Sequence, residues 1–153
     1  MQPAPQHLIR DMRSGDLATV VAIERNAHIS PWGRISFEES LNQGHICRCI
    51  WQHQALLAYS VVQRIEDELH ILNVVVTPSE QGQGWAHVLM NDIFTVAQND
   101  RVKTVFLDVR ESNTKAQSLY KKWGFGLLAV RKQYYRAPVA NERENALVFM
   151  RTL

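Results

Sequence analysis

The apolar positions of this chain change period several times, and each change predicts a new element. Leu8 and Ile9 begin a short strand. Leu17, Val20, Val21 and Glu24 then share one face at helical spacing, with Ser14 or Asp16 ahead of them as a cap. Glu24, an acid, therefore falls on an apolar stripe. Pro31, Trp32 and Gly33 interrupt the pattern, and residues 35–42 form a second short helix that stops near Gly44. From Ile46 the segments 46–51, 55–65 and 69–76 are apolar or alternating, separated by polar turns at 52–54 and 66–68. Such short turns predict an antiparallel meander. Pro78 and the polar residues up to Gly82 end it, and Ala86, Leu89, Met90, Ile93 and Ala97 then recur at i, i+3, i+4, i+7 and i+11, the stripe of a helix lying on a sheet. Beyond it the pattern predicts a buried strand at 102–109, a helix at 112–122, a break at Gly124, and strands at 125–135 and 146–151.

A helix joins the third meander strand to 102–109, so those two should be parallel neighbours in an otherwise mostly antiparallel sheet. The expectation is an α/β (α+β) fold with seven strands and about four helices. At 153 residues the chain fits a single domain, 1–153. Hydrophobic residues at 46% and charged residues at 21% exclude disordered, collagen-like and coiled-coil classes. The 17 basic and 15 acidic residues are dispersed, which gives no reason to expect a nucleic-acid partner. No stretch reaches the roughly 20 apolar residues that span a bilayer, and residues 1–6 lack the pattern of a signal peptide, so a cytoplasmic protein without a membrane partner is expected. Cys47 and Cys49 share one face of a strand, which suits reduced core residues better than metal ligands, and no metal site is expected.

The segment Gln81-Gly82-Gln83-Gly84-Trp85-Ala86 lies where a strand gives way to a helix. Backbone N–H groups and the helix dipole attract an anion at such a junction, and Gly84 lets backbone approach phosphate oxygens closely. Two glycines alone do not distinguish a phosphate cradle from an ordinary turn.

Gln81-x-x-Gly84-x-Ala86 resembles the Gln/Arg-x-x-Gly-x-Gly/Ala signature of the GNAT acetyltransferases, and the element order resembles their fold. Leu107-Asp108-Val109-Arg110-Glu111-Ser112-Asn113, Leu119-Tyr120 and Trp123-Gly124-Phe125 are similar to the later block of the same family. Ala27-His28, Pro31-Trp32, the run from Asn73 through Val74, Val75 and Val76, and Arg131-Lys132-Gln133-Tyr134-Tyr135 resemble the RimI type, which acetylates the N-terminal amine of a ribosomal protein. The resemblance implies acetyl-CoA as cosubstrate. Val74, Val75 and Val76 would pair with its pantetheine arm as an added strand does. Gln81, Gly82, Gln83, Gly84, Trp85, Ala86 and His87 would wrap the pyrophosphate, and Asn113 would hydrogen-bond the cofactor arm. Relatives usually carry arginine where this chain has His87, and a basic or polar residue where it has Gly82. Pyrophosphate affinity would then lean on backbone donors.

Acetyl transfer needs an unprotonated amine, and the departing thiolate needs a proton. In the RimI pattern a glutamate stands at the position of Asp108 and a tyrosine at that of Tyr120. The resemblance therefore implies Asp108, one methylene short, as base through a water, and Tyr120 as acid. By residue type alone, Asp108 is a solvated strand-end aspartate and Tyr120 a core tyrosine sharing a helical face with Ala116, Leu119 and Trp123. A backbone N–H near Val75, at a family bulge, would polarise the carbonyl. Glu24 and the acids Glu66, Asp67 and Glu68 could draw a cationic acceptor, or the turn is simply solvated. Trp32, Tyr134 and Tyr135 line the acceptor channel on one reading. On the other, Trp32 is core and the tyrosines are alternating faces of a strand. The acceptor expected is an N-terminal alanine of a ribosomal protein, approached by a monomer or homodimer. A small-molecule amine, a lysine side chain, a non-catalytic acyl-CoA sensor and a plain interaction domain remain as alternatives.

Overall fold

The computed structural model describes residues 6–136 and 142–153; residues 1–5, which carry most of the segment read for a signal peptide, lie outside it. In chain order it has β1 (Leu8–Asp11), α1 (Leu17–Ala27), α2 (Arg34–Asn42), β2 (Ile46–Gln52), β3 (Ala55–Ile65), β4 (Glu68–Val76), α3 (Trp85–Asn99), β5 (Thr104–Arg110), α4 (Thr114–Lys122), β6 (Gly126–Arg136) and β7 (Arg143–Thr152). The strands form a seven-stranded sheet ordered β1-β2-β3-β4-β5-β7-β6. The expected parallel pair is present, with Glu68, Leu69, His70 and Ile71 of β4 opposite Thr104, Val105, Phe106 and Leu107 of β5. One topological feature had no signal in the pattern. β7 inserts between β5 and β6 and pairs antiparallel to both.

Helix ends explain the boundaries that moved. At Gly44 (φ 75) and Gly124 (φ 84) the backbone turns left-handed, and each helix closes with the paired bonds of a Schellman motif. His45 N donates to Ser40 O (3.0 Å) with Gly44 N to Leu41 O (3.2 Å), and Phe125 N to Tyr120 O (3.1 Å) with Gly124 N to Lys121 O (3.0 Å). Phe125 thus belongs to the closure of α4, and β6 starts one residue later than the pattern suggested. α3 ends the same way around Arg101 (φ 57), with Val102 N bonded to Ala97 O (2.9 Å) and Arg101 N to Gln98 O (3.2 Å). Val102 is consumed by that closure, so β5 begins at Thr104. The cap expected for α1 is also absent. Asp16 instead accepts both ends of the Arg10 guanidinium at 2.8 Å and the N–H of Arg13 at 2.8 Å. The hydrogen bond from Arg10 leads the causes that hold its carboxyl below the usual range.

The chain divides into two compact units, one made of the residues up to Val62 with Asn73–Ile93, the other of Gln63–Leu72 with Phe94–Leu153. In the first, one sheet face carries Cys47, Cys49, Tyr59, Val61 and Val75, packed with Leu17 and Val20 of α1 and Phe37 of α2. The opposite face carries Ile50, Leu57, Ala58, Val74 and Val76, packed with Trp85, Val88 and Leu89 of α3. Both cysteines are free and buried, and burial pushes their thiols up to about 11 and about 12. In the second unit Phe94 stacks on Trp123 (5.5 Å) and meets Phe125 (5.9 Å), which Tyr120 contacts edge-on (5.9 Å). The Arg151 guanidinium lies over Phe94 (4.4 Å) and donates to Trp123 O (2.7 Å). Among the described residues no helix is long and apolar enough to cross a membrane.

Gly124 is required twice over, by its φ and because a Cβ there would stand 3.3 Å from the Arg151 stem. Gly124→Ala should therefore destabilise the protein by about 1–3 kcal/mol in urea unfolding, with an unchanged m-value.

Candidate active site

In the first unit the end of β4 leads into the glycine turn. Burial alternates along the strand, so Asn73 and Val75 face α1 and α2 while Val74 and Val76 face α3. Thr77 ends the strand, donating its N–H to Leu57 O (2.9 Å) and its hydroxyl to Leu56 O (2.8 Å). A short 3₁₀ turn, Pro78–Glu80, follows, and Gln81 Nε2 reaches back to Val76 O (3.4 Å). Gly82 (φ 80) and Gly84 (φ 90) are both left-handed, and a Cβ on either would meet nothing within 4 Å. Glycine is thus demanded here by backbone conformation, and the space beside both residues is open to a ligand. His87 N and Val88 N donate to Gly84 O (3.1 and 3.3 Å), which starts α3. The N–H groups of Trp85 and Ala86 precede any intrahelical acceptor and sit at the positive end of a fifteen-residue helix. His87 is exposed beside them. These donors suit a pyrophosphate.

Glu24 and Trp32 lie in the same unit, in a setting the acceptor-side reading did not anticipate. Glu24 is fully buried, and its carboxylate accepts from Tyr59 Oη (2.6 Å), Asn73 Nδ2 (3.0 Å) and Trp32 N (3.0 Å). Asn73 Oδ1 in turn meets His28 Nε2 (2.9 Å), which must carry the hydrogen of that contact. The Trp32 ring packs on Phe37 (5.2 Å). Glu24 is thereby a hydrogen-bond hub, and Trp32 shares its ring with the core. The polar partners Tyr59 and Asn73 escaped notice because each sits inside a strand-forming apolar run. Burial first, and then the bond to Glu24, hold the Tyr59 hydroxyl well above its ordinary range.

The second unit holds the other candidates. Asp108 points away from the buried face that Leu107 and Val109 occupy on β5, and it is exposed. Tyr120 is buried on α4, and burial, followed by the nearby charge of Tyr135, pushes it up to about 12. Tyr135 is also pushed up to about 12, by burial first and by Asp108 next, with Arg110 and Arg131 opposing. Tyr135 thus lies in electrostatic range of both Asp108 and Tyr120, and the Arg110 guanidinium covers its ring at 4.4 Å. A bulge in β6 aims these tyrosines. The register jumps from Arg131 opposite Ala146 to Tyr135 opposite Glu144, Gln133 is left-handed (φ 53), and its N–H bonds Asn145 Oδ1 (3.0 Å). Tyr134 and Tyr135 therefore meet edge to face at 5.1 Å, with Arg131 over Tyr134 at 5.4 Å, and are not alternating faces of a regular strand. Asn113 caps α4, its Oδ1 accepting from Ala116 N (3.1 Å), so any service to a cofactor falls to its Nδ2. Of the acidic turn, Asp67 pairs with Lys103 (3.7 Å) and Glu68 with His70 (2.9 Å).

The model of the Acetyltransferase (GNAT) family matches residues 17–125. The chain belongs to the GNAT acetyltransferase family. It is 30% identical over 141 residues to the [ribosomal protein bS18]-alanine N-acetyltransferase of Haemophilus ducreyi, covering 92% of this chain and 97% of that one. The crystal structure of the ribosomal-protein-S18-alanine N-acetyltransferase from Escherichia coli superposes with a TM-score of 0.88 at 28% identity, covering 96% of this chain and 94% of that chain. A GNAT family acetyltransferase from Elizabethkingia anophelis, solved with acetyl-CoA bound, has the same fold, with a TM-score of 0.78 at 18% identity and coverage of 96% and 98%. The likeness of this GNAT chain to the RimI type holds over nearly its whole length.

Two measurements follow for this GNAT turn and its tyrosines. Gly84→Ala should weaken acetyl-CoA binding about tenfold in calorimetry, whereas His87→Arg, adding a fixed charge beside the turn, should tighten it about threefold. Tyr59, Tyr120 and Tyr135 hold their protons in the folded state to higher pH than the ordinary tyrosine value near 10. The unfolded chain releases them first, so the stability they contribute is complete below pH ~10 and declines as pH rises toward about 12. Urea midpoints across that window, with absorbance at 295 nm reporting ionisation, check the sign.

Proposed function

We propose that this acetyltransferase moves the acetyl group of acetyl-CoA onto the N-terminal amine of a protein, with the N-terminal alanine of ribosomal protein bS18 as acceptor, and that residues 1–153 act as one such domain in the cytoplasm. The observation that carries this reading is the 30% identity, across 92% of this chain and 97% of the relative, to a bS18-alanine N-acetyltransferase. The open, left-handed turn at Gly82 and Gly84 supports the cosubstrate part of it.

In this reading the backbone of Val74, Val75 and Val76 receives the pantetheine arm, with Gln81, Gly82, Gln83, Gly84, Trp85, Ala86 and His87 around the pyrophosphate. The amine attacks the thioester carbonyl carbon, and a backbone N–H near Val75 donates to the oxygen on which charge develops. Asp108 takes the proton of the attacking amine through a water, which its exposed position on β5 admits. The C–S bond then breaks, and Tyr120 gives its proton to the departing sulfur. Burial, which raises that phenol to about 12, keeps its proton in place throughout the neutral range and at the same time makes it a weaker acid toward the sulfur. Tyr134 and Tyr135, at the β6 bulge, face the acceptor peptide. A shortened acid at 108 is the one observation that favours a second reading, an acyl-CoA sensor without turnover.

Acetyl-CoA consumption with a panel of amines separates the readings. Turnover with an Ala-starting bS18 peptide but not with its N-terminally blocked form or with free lysine supports the proposal. Turnover with lysine side chains or small amines moves the acceptor elsewhere, and binding without turnover supports the sensor. Asp108→Asn should lower kcat about 10²-fold with partial recovery at high pH, and Asp108→Glu should retain or raise it. Tyr120→Phe should lower kcat to a similar degree while leaving the melting temperature within a few degrees, since the ring still fills its place beside Phe125.

A further inference from the structure

The longest stretch of this chain without a fixed positive charge runs straight through the glycine turn: no lysine or arginine stands between Arg64 and Arg101. The turn's own charged residue, Glu80, is an acid and opposes an anion. Arginines on the neighbouring strands are engaged elsewhere. Arg10 of β1 holds Asp16 through both ends of its guanidinium, and Arg48 of β2 holds Asp92 of α3 and Asp11 of β1. A diphosphate at Gly82 and Gly84 would therefore meet backbone N–H groups and a helix dipole, but no lysine or arginine of its own segment.

Two imidazoles stand at this place. His87, the third residue of α3, is exposed in the first turn of the helix. His7, from the segment that enters β1, is exposed as well and meets the Trp85 ring edge to face at 5.1 Å. Since the Trp85 N–H is one of the donors of the turn, the His7 ring lies within a tryptophan side chain of it. That reach is roughly 10 Å, about one Debye length at physiological salt. The remaining histidine at this end of the sheet is His53, exposed in the turn between β2 and β3. We propose that His7 and His87 form a proton-dependent pair of cations for the cofactor diphosphate, which makes His7 a cofactor-site residue and acetyl-CoA binding tighter in mild acid than in mild base. This rests on the acetyl-CoA reading above.

The direction follows from linkage. An imidazole gains its charge as pH falls from about 8 to 5, and a bound diphosphate favours the charged form. Binding near neutrality thus draws in protons, and affinity falls as pH rises through the histidine range.

Calorimetry with dephospho-acetyl-CoA isolates the effect, because this probe keeps the diphosphate and lacks the 3′-phosphate, which itself titrates near pH ~6. Between about pH 6 and 8 its dissociation constant should rise about tenfold for the wild-type protein. Runs near neutrality in buffers of different ionisation enthalpy should show uptake of a fraction of a proton. His87→Gln and His7→Phe should each reduce the rise to about threefold, and the double variant should bring it within about twofold. The phenyl ring keeps the contact with Trp85 and removes only the charge. His53→Asn should leave the full rise in place. A wild-type constant that stays within about twofold across that range overturns the proposal, as does a rise that survives the double variant or is unchanged in His7→Phe. Failure to bind at any pH removes the acetyl-CoA reading itself, whereas binding with a flat profile removes only the histidine pair.

Discussion

A carboxylate removed from water must be met by donors on every side, and the first unit is arranged around that requirement at Glu24. Leaving such a group unpaired costs several kcal/mol, so the helix that brings it in, the tyrosine from β3, the asparagine from β4 and the backbone of the α1–α2 connection have to arrive together. An apolar residue at position 24 would fill the same space without specifying which strand and which segment meet. The polar hub therefore trades some burial energy for register. Asn73 occupies a strand position that Leu69, Ile71 and Val75 fill with hydrocarbon, and it does so because it faces Glu24.

The order and type of the elements were legible in the hydrophobic pattern, and the parallel pair of β4 and β5 followed from the helix between them. What was not legible has local causes. Helix ends at Gly44 and Gly124 were visible because glycine marks a left-handed residue, but the identical closure at Arg101 carries no such mark, and β5 was started two residues early. Asp16 looked like a cap because its residue type usually is one; a nearby arginine claimed it instead. The place of β7 depends on pairing between distant segments, about which periodicity is silent. In the candidate site, the turn at Gly82 and Gly84 was legible from its position, whereas Asp108 and Tyr120 were singled out by family resemblance alone. The β6 bulge that aims Tyr134 and Tyr135 depends on a left-handed glutamine with nothing distinctive in its sequence.

Electrostatics in the second unit point in one direction. Tyr120 and Tyr135 are each held protonated, chiefly by burial, and Asp108 adds to that effect on Tyr135 while remaining exposed itself. Environment thus separates two kinds of group, a solvated acid and a buried phenol. Arg110 and Arg131 limit the separation, and Arg110 also holds the Tyr135 ring in place through its face.

The insertion of β7 between β5 and β6 has a consequence for how the second unit is assembled. β5 and β6 are close in sequence, joined through α4, and would meet first if proximity alone ruled; the native ladder instead keeps a place between them for a strand from farther along. Its pairing with β5 runs the whole length from Thr104 to Arg110, Asp108 included. Closing that long loop carries an entropic cost before any contact repays it, which makes β7 docking the natural kinetic bottleneck of the unit. Until it occurs, Asp108 has no partner strand, since β4 accompanies β5 only as far as Leu107 and Val148 of β7 is the residue that stands opposite Asp108.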